Sequence, residues 1–198
     1  PLVKAFQNSN NDFVTKVCIT AQHREMLDQV LTFFEITPDY DLDLMKPNQN
    51  LYTLTADIIT GLKPVLDEFK PDFVYVHGDT TTTMAASIAA FYSGSQVCHV
   101  EAGLRTFNKR SPFPEEINRS IAGRISDYHF APTETSKLNL INENISSKNI
   151  VVTGSHGKTT TTSFLATILQ ESKYDPTYII GGIVKNLDGH AKVGKGEF

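Results

Sequence analysis

Short apolar runs alternate with stretches of helical period along most of the chain. The runs at 13–20, 73–77, 96–100, 128–131, 150–153 and 177–180 are rich in Val, Ile, Phe and Tyr, and helical patterns at 25–34, 80–91, 133–141 and 158–169 lie between them. Parallel strands need a crossover between them and a helix supplies it, so this alternation predicts an α/β chain with a doubly wound parallel sheet. A longer amphipathic stretch at 51–69 carries Leu51, Leu54, Ile58, Leu62, Val65, Leu66 and Phe69 at helical spacing, with Pro64 inside it. A proline there removes one backbone donor, and a kink or the end of a turn is expected at that point. The segment 37–50 is the longest polar connection and is expected to be a surface loop. Residues 2–6 read as a helix already under way, and Pro1 cannot be an initiator, so further chain upstream is expected.

Composition narrows the class. With 198 residues, 40% hydrophobic and 20% charged, the chain belongs with globular proteins of one main domain and room for part of a second. Collagen-like, low-complexity and disordered classes are excluded. A net charge of -4 offers no general attraction to nucleic acid or an anionic membrane, although a local cationic pocket stays open. No run approaches the ~20 apolar residues of a membrane span and no secretory leader is visible, so a cytoplasmic setting is expected. Cys18 and Cys98 stand far apart in apolar runs, as buried reduced thiols do, and they form no metal framework.

Ligands of such sheets sit beyond the carboxyl ends of the strands, and three turns there carry chemistry. The first is His77-Gly78-Asp79-Thr80-Thr81-Thr82-Thr83, where Asp79 or Thr80 suits a helix cap and the exposed amides suit an anion. The second begins Glu101-Ala102-Gly103-Leu104-Arg105-Thr106 and continues to Pro114-Glu115-Glu116-Ile117-Asn118-Arg119. Pro114 suits the first turn of a helix and the two glutamates its positive end. Taken alone, Asp79 is an ordinary cap and Glu115 with Arg119 a surface pair worth a few tenths of a kcal/mol. Taken together, Asp79, Glu101 and Glu115 fall around one crevice, with Arg105 and Arg119 beside them. Carboxylates there suit acid/base work on a sugar, and the arginines suit its phosphates. His77, His99 and His129 lie in or beside strands and rank second, because a lone histidine there is more often a satisfied core residue.

On these strings, with Pro1-Leu2-Val3-Lys4-Ala5, Thr20-Ala21-Gln22-His23-Arg24-Glu25 and Pro132-Thr133-Glu134, residues 1–153 resemble the amino-terminal half of a non-hydrolysing UDP-N-acetylglucosamine 2-epimerase. The resemblance implies a Rossmann-like half of a B-type glycosyltransferase fold that binds a nucleotide sugar between two halves. It implies Asp79, Glu101 and Glu115 as acid/base carboxylates, Arg105, Arg119 and His77 as substrate-binding residues, and Gln22 and His23 at a regulatory UDP-N-acetylglucosamine site. The implied reaction removes the C2 proton with expulsion of UDP, then returns UDP and a proton on the opposite face. It calls for no metal or nicotinamide, and a homodimer is the implied assembly. The family's first strand and its Gly-Thr-Arg-Pro-Glu turn would precede Pro1, and its second half is not matched.

The third turn, Gly154-Ser155-His156-Gly157-Lys158-Thr159, follows an apolar run and opens a helical pattern. Gly154, Gly157 and Lys158 suit phosphate binding and Thr159 suits Mg²⁺, so ATP and Mg²⁺ are the expected ligands. Val152 stands where the commoner Gly-x₄-Gly-Lys-Thr spacing would put its first glycine. The shorter form, with the sequence up to Phe198, resembles a partial P-loop segment of a Mur ligase, UDP-N-acetylmuramate–alanine ligase. The expected division is therefore 1–153 and 154–198, a chimera joined at Val152-Thr153-Gly154. Three functions stand side by side: an isomerase, an ATP-dependent ligase fragment, and a non-catalytic nucleotide-sugar-binding fragment.

Overall fold

The structure is a computed structural model describing residues 2–9, 12–20, 24–44, 49–152, 178–179 and 191–192. Two compact units divide at Val151 and Val152. In the first, α1 (Leu2–Gln7), β1 (Cys18–Ile19), α2 (Arg24–Phe33), β2 (Tyr40–Asp41) and α3 (Leu51–Phe69) precede the main sheet. Then come β3 (Phe73–His77), α4 (Thr81–Ser93), β4 (Gln96–Val100), α5 (Glu115–Ile125), β5 (Tyr128–Ala131), α6 (Glu134–Asn142) and β6 (Ile150–Val152). The sheet runs in the order β3-β4-β5-β6, with β3 parallel to β4 and β4 to β5. This is a Rossmann-like α/β fold. In the second unit the described strands are β7 (Tyr178–Ile179) and β8 (Ala191–Lys192), an antiparallel pair.

Alternation sorts the side chains of β3 to two faces. Val74 and Val76 join Ala86, Ala90 and Val97 under the helices. Phe73 and Tyr75 face the other way and meet Tyr128 and Phe130 at ring separations of 6.1 and 6.2 Å, with Phe6 of α1 at 4.9 Å from Tyr75.

Pro64, where a kink or the end of a turn is expected, lies inside one helix: α3 runs from the Asn50 cap to the left-handed Lys70. A helix-interior proline costs about 3 kcal/mol, whereas Leu54, Ile58, Leu62 and Leu66 are all buried against α4 and each contributes about 1.5–3 kcal/mol. Burial wins. The stretch 37–50 is also more than a loop, because β2 pairs in parallel with β1, Cys18 opposite Tyr40. Cys98 is buried and Cys18 half-buried, both as free thiols. Among the described residues no helix is long and apolar enough to cross a membrane.

Candidate active site

The turn after β3 is tight because Gly78 adopts φ +73°, a left-handed conformation that a side chain would strain. Thr80, not Asp79, caps α4, its hydroxyl accepting from the Thr83 amide at 3.2 Å. The carboxylate of Asp79 is thereby left for tertiary partners.

One strand over, Glu101 follows the carboxyl end of β4 with φ 67°. A non-glycine residue there stores about 1–3 kcal/mol of strain and persists only where its surroundings hold it. Its Oε2 lies 3.7 Å from His77 Nε2, which joins the ends of β3 and β4. Two residues on, Gly103 has φ +87°, and a Cβ on it would run into the backbone carbonyl of Ser136.

Helix α5 closes the site from the third side. Arg119 places its guanidinium 3.1 Å from Asp79 Oδ2 and 3.5 Å from Glu116 Oε2, and its Nε donates to the Glu115 carbonyl at 3.3 Å. Glu115 begins the helix, and its carboxylate makes no hydrogen bond or ion pair with another described residue. Glu116 is only 3% exposed and accepts from the amides of Thr106 at 3.0 Å and Phe107 at 2.9 Å, pinning the loop that follows Glu101. Charge-assisted bonds of this kind contribute about 1.5–3 kcal/mol each. Nothing in the local pattern marks Glu116 as buried. Its only signal is a second glutamate where one suffices for the helix dipole.

Past the carboxyl ends of the adjacent parallel strands β3 and β4, Arg119 therefore faces Asp79 and His77 faces Glu101, and Glu115 opens the helix whose next turn supplies Arg119. Arg105 does not join them. Its side chain is 1% exposed and forks onto Glu143, Nε to Oε1 and Nη2 to Oε2 both at 2.7 Å. A guanidinium so buried and paired holds the Leu104–Thr106 loop to the end of α6. His99 and His129 are register neighbours, 0% and 1% exposed, whose Nε2 atoms bond the carbonyls of Gly78 at 2.7 Å and Gly123 at 2.8 Å. Burial pushes the His99 imidazole down to about 4 and lowers that of His129. The described residues include no group of three or more His, Cys, Asp or Glu able to hold a metal ion. Gln22, His23, Gly154, Gly157, Lys158 and Thr159 lie outside the described residues.

Fold and site together define a Rossmann-like α/β protein with a cluster of carboxylates and an arginine at the strand ends. The model of the UDP-N-acetylglucosamine 2-epimerase family matches residues 4–181, and the chain belongs to that family. A Salmonella typhimurium protein named UDP-N-acetylglucosamine 2-epimerase is 60% identical over 154 residues, 78% of this chain and 41% of its own length. The Neisseria meningitidis UDP-GlcNAc 2-epimerase, solved bound to UDP-GlcNAc, superposes with a TM-score of 0.74 at 55% identity over 87% of this chain and 46% of its own. The Methanocaldococcus jannaschii enzyme, in complex with UDP-GlcNAc and UDP, gives 0.72 at 31% identity, over 90% of this chain and 51% of its own. The chain thus spans about two fifths of the length of the curated relatives it matches.

Proposed function

We propose that this cluster is the acid/base half of a UDP-N-acetylglucosamine 2-epimerase site. The observation that supports this reading is the pair of contacts past the ends of β3 and β4, Arg119 with Asp79 and His77 with Glu101, with Arg119 itself held by the buried Glu116 carboxylate. The substrate is taken from the relatives that bind UDP-GlcNAc. One carboxylate takes the C2 proton while the bond from C1 to the UDP oxygen breaks, leaving a C1–C2 double bond. UDP then re-forms the C1 bond and a carboxylic acid returns a proton to C2 from the opposite face. Asp79, Glu101 and Glu115 are the candidates for these transfers, Arg119 the candidate to hold Asp79 in place, and His77 beside Glu101 the candidate to meet the substrate. The sequence needs neither redox cofactor nor metal.

The test is incubation with UDP-N-acetylglucosamine in deuterated water, using this chain completed by the carboxyl-terminal half of the Salmonella typhimurium relative. Deuterium at C2 with UDP-N-acetylmannosamine as product supports the reading. No exchange, from a protein that still binds UDP, overturns it.

A second reading covers 154–198 alone, resting on Gly154-Ser155-His156-Gly157-Lys158-Thr159: a Mur-ligase-like loop in which Gly154, Gly157 and Lys158 hold ATP phosphates and Thr159 Mg²⁺. The epimerase-family match extends to residue 181, across this loop. ATP binding that Lys158→Ala abolishes supports the loop's role, and equal binding by both forms removes it.

A further inference from the structure

Three consecutive carbonyls form the turn that delivers Asp79, and each is held by a different buried side chain. Thr83 of α4 donates its hydroxyl to the His77 carbonyl at 2.5 Å. His99 of β4 bonds the Gly78 carbonyl through Nε2 at 2.7 Å, and Asn118 of α5 donates Nδ2 to the Asp79 carbonyl at 3.0 Å. The three donors are 3%, 0% and 3% exposed. The turn's own amide at Gly78 bonds back to the Val100 carbonyl at 2.9 Å. A carbonyl can only accept, so His99 must carry its proton on Nε2. Its Nδ1 is then a bare acceptor, in keeping with its lack of a hydrogen-bond partner among the described residues.

Such an arrangement exceeds what a helix entry needs. Thr80 already caps α4, and the donors to the Gly78 and Asp79 carbonyls come from 21 and 39 residues away. Closing the turn from three elements removes its freedom to rotate, and the direction of the Asp79 carboxylate toward Arg119 depends on that rotation. We propose that Thr83, His99 and Asn118 are positioning residues that act through the His77–Gly78–Asp79 carbonyls to hold Asp79 against Arg119. The inference rests on the epimerase reading for its catalytic meaning, but the clamp itself is testable without substrate.

The test is nitrogen-15 NMR of this chain, following the Arg119 guanidinium, assigned by its loss in Arg119→Lys. Restricted rotation of that group reports its pairing with Asp79. His99→Leu and Thr83→Val keep volume and lose the donor, Asn118→Ala loses the donor, and His99→Gln keeps a nitrogen donor near the Nε2 position. Expected are a His99 ring protonated on Nε2, at least tenfold faster guanidinium rotation in His99→Leu, Thr83→Val and Asn118→Ala, and wild-type behaviour in His99→Gln. Should one variant fail to fold, the other two carry the measurement. Unchanged rotation in folded donor-less variants, a His99 proton on Nδ1, or a His99→Gln form that behaves like His99→Leu overturns the proposal. Absence of C2 exchange in the completed chain, with the clamp signatures intact, refutes the epimerase reading and leaves the clamp standing.

Discussion

Acidification should destabilise this fold through one buried ring. His99 is 0% exposed, and burial pushes its imidazole from the ordinary 6.5 down to about 4. The folded state therefore binds the proton less readily than the unfolded chain. The stability this represents is intact above pH 6.5 and is lost progressively as pH falls from 6.5 to about 4, where the folded form takes up the proton as well. A gap of about 2.5 units corresponds to about 3 kcal/mol in full, of which about 2 kcal/mol is lost between pH 7 and pH 5. His129 is lowered by the same cause and adds in the same direction. The assay is urea unfolding of wild type and His99→Gln at pH 7, 6 and 5. Glutamine keeps a donor for the Gly78 carbonyl but does not titrate, and every carboxylate is common to both proteins, so the difference isolates the ring. Wild type should lose about 2 kcal/mol more than the variant over that interval. Equal losses, within the extrapolation error of roughly half a kcal/mol, would refute the reasoning.

Gly103→Ala should cost about 2–5 kcal/mol, because the methyl group meets the Ser136 backbone at φ +87°. Gly94→Ala, at φ +83° with open space around it, should cost about 1–2 kcal/mol, and paired thermal melts would expose equal effects as a failure of the argument. Glu116→Ala should cost about 3–5 kcal/mol by leaving the Thr106 and Phe107 amides and Arg119 without their buried carboxylate, with Glu116→Gln between it and wild type in urea titrations. Epimerisation by this chain alone should be weak or undetectable by product chromatography, since positioning of the leaving group can supply about 7–11 kcal/mol and the matched relatives extend well beyond it. Robust turnover by the chain alone, abolished by Glu101→Gln, would contradict this.

Some of this protein is written in its local pattern. The apolar runs bound β3, β4 and β5 as Phe73–His77, Gln96–Val100 and Tyr128–Ala131, and strands joined by helices are forced to run parallel. Parallel strands bring their carboxyl ends to one edge, so the neighbourhood of Asp79 and Glu101 follows from the order of residues alone. The partners of those residues do not follow. Arg105 and Arg119 read alike in sequence, yet one forks onto Glu143, 38 residues away, and the other faces Asp79. Glu115 and Glu116 are neighbours at a helix start, and only the helix's angle to the sheet decides which is buried. His99 reads as a core histidine, and its bond to the Gly78 carbonyl exists because β3 and β4 lie in one particular register. Pro64 reads as a kink or the end of a turn, and α3 continues through it because its apolar face packs against α4. Periodicity specifies which side of its own element a residue occupies. What stands opposite depends on contacts between distant segments, and those energies exist only once the tertiary fold has formed.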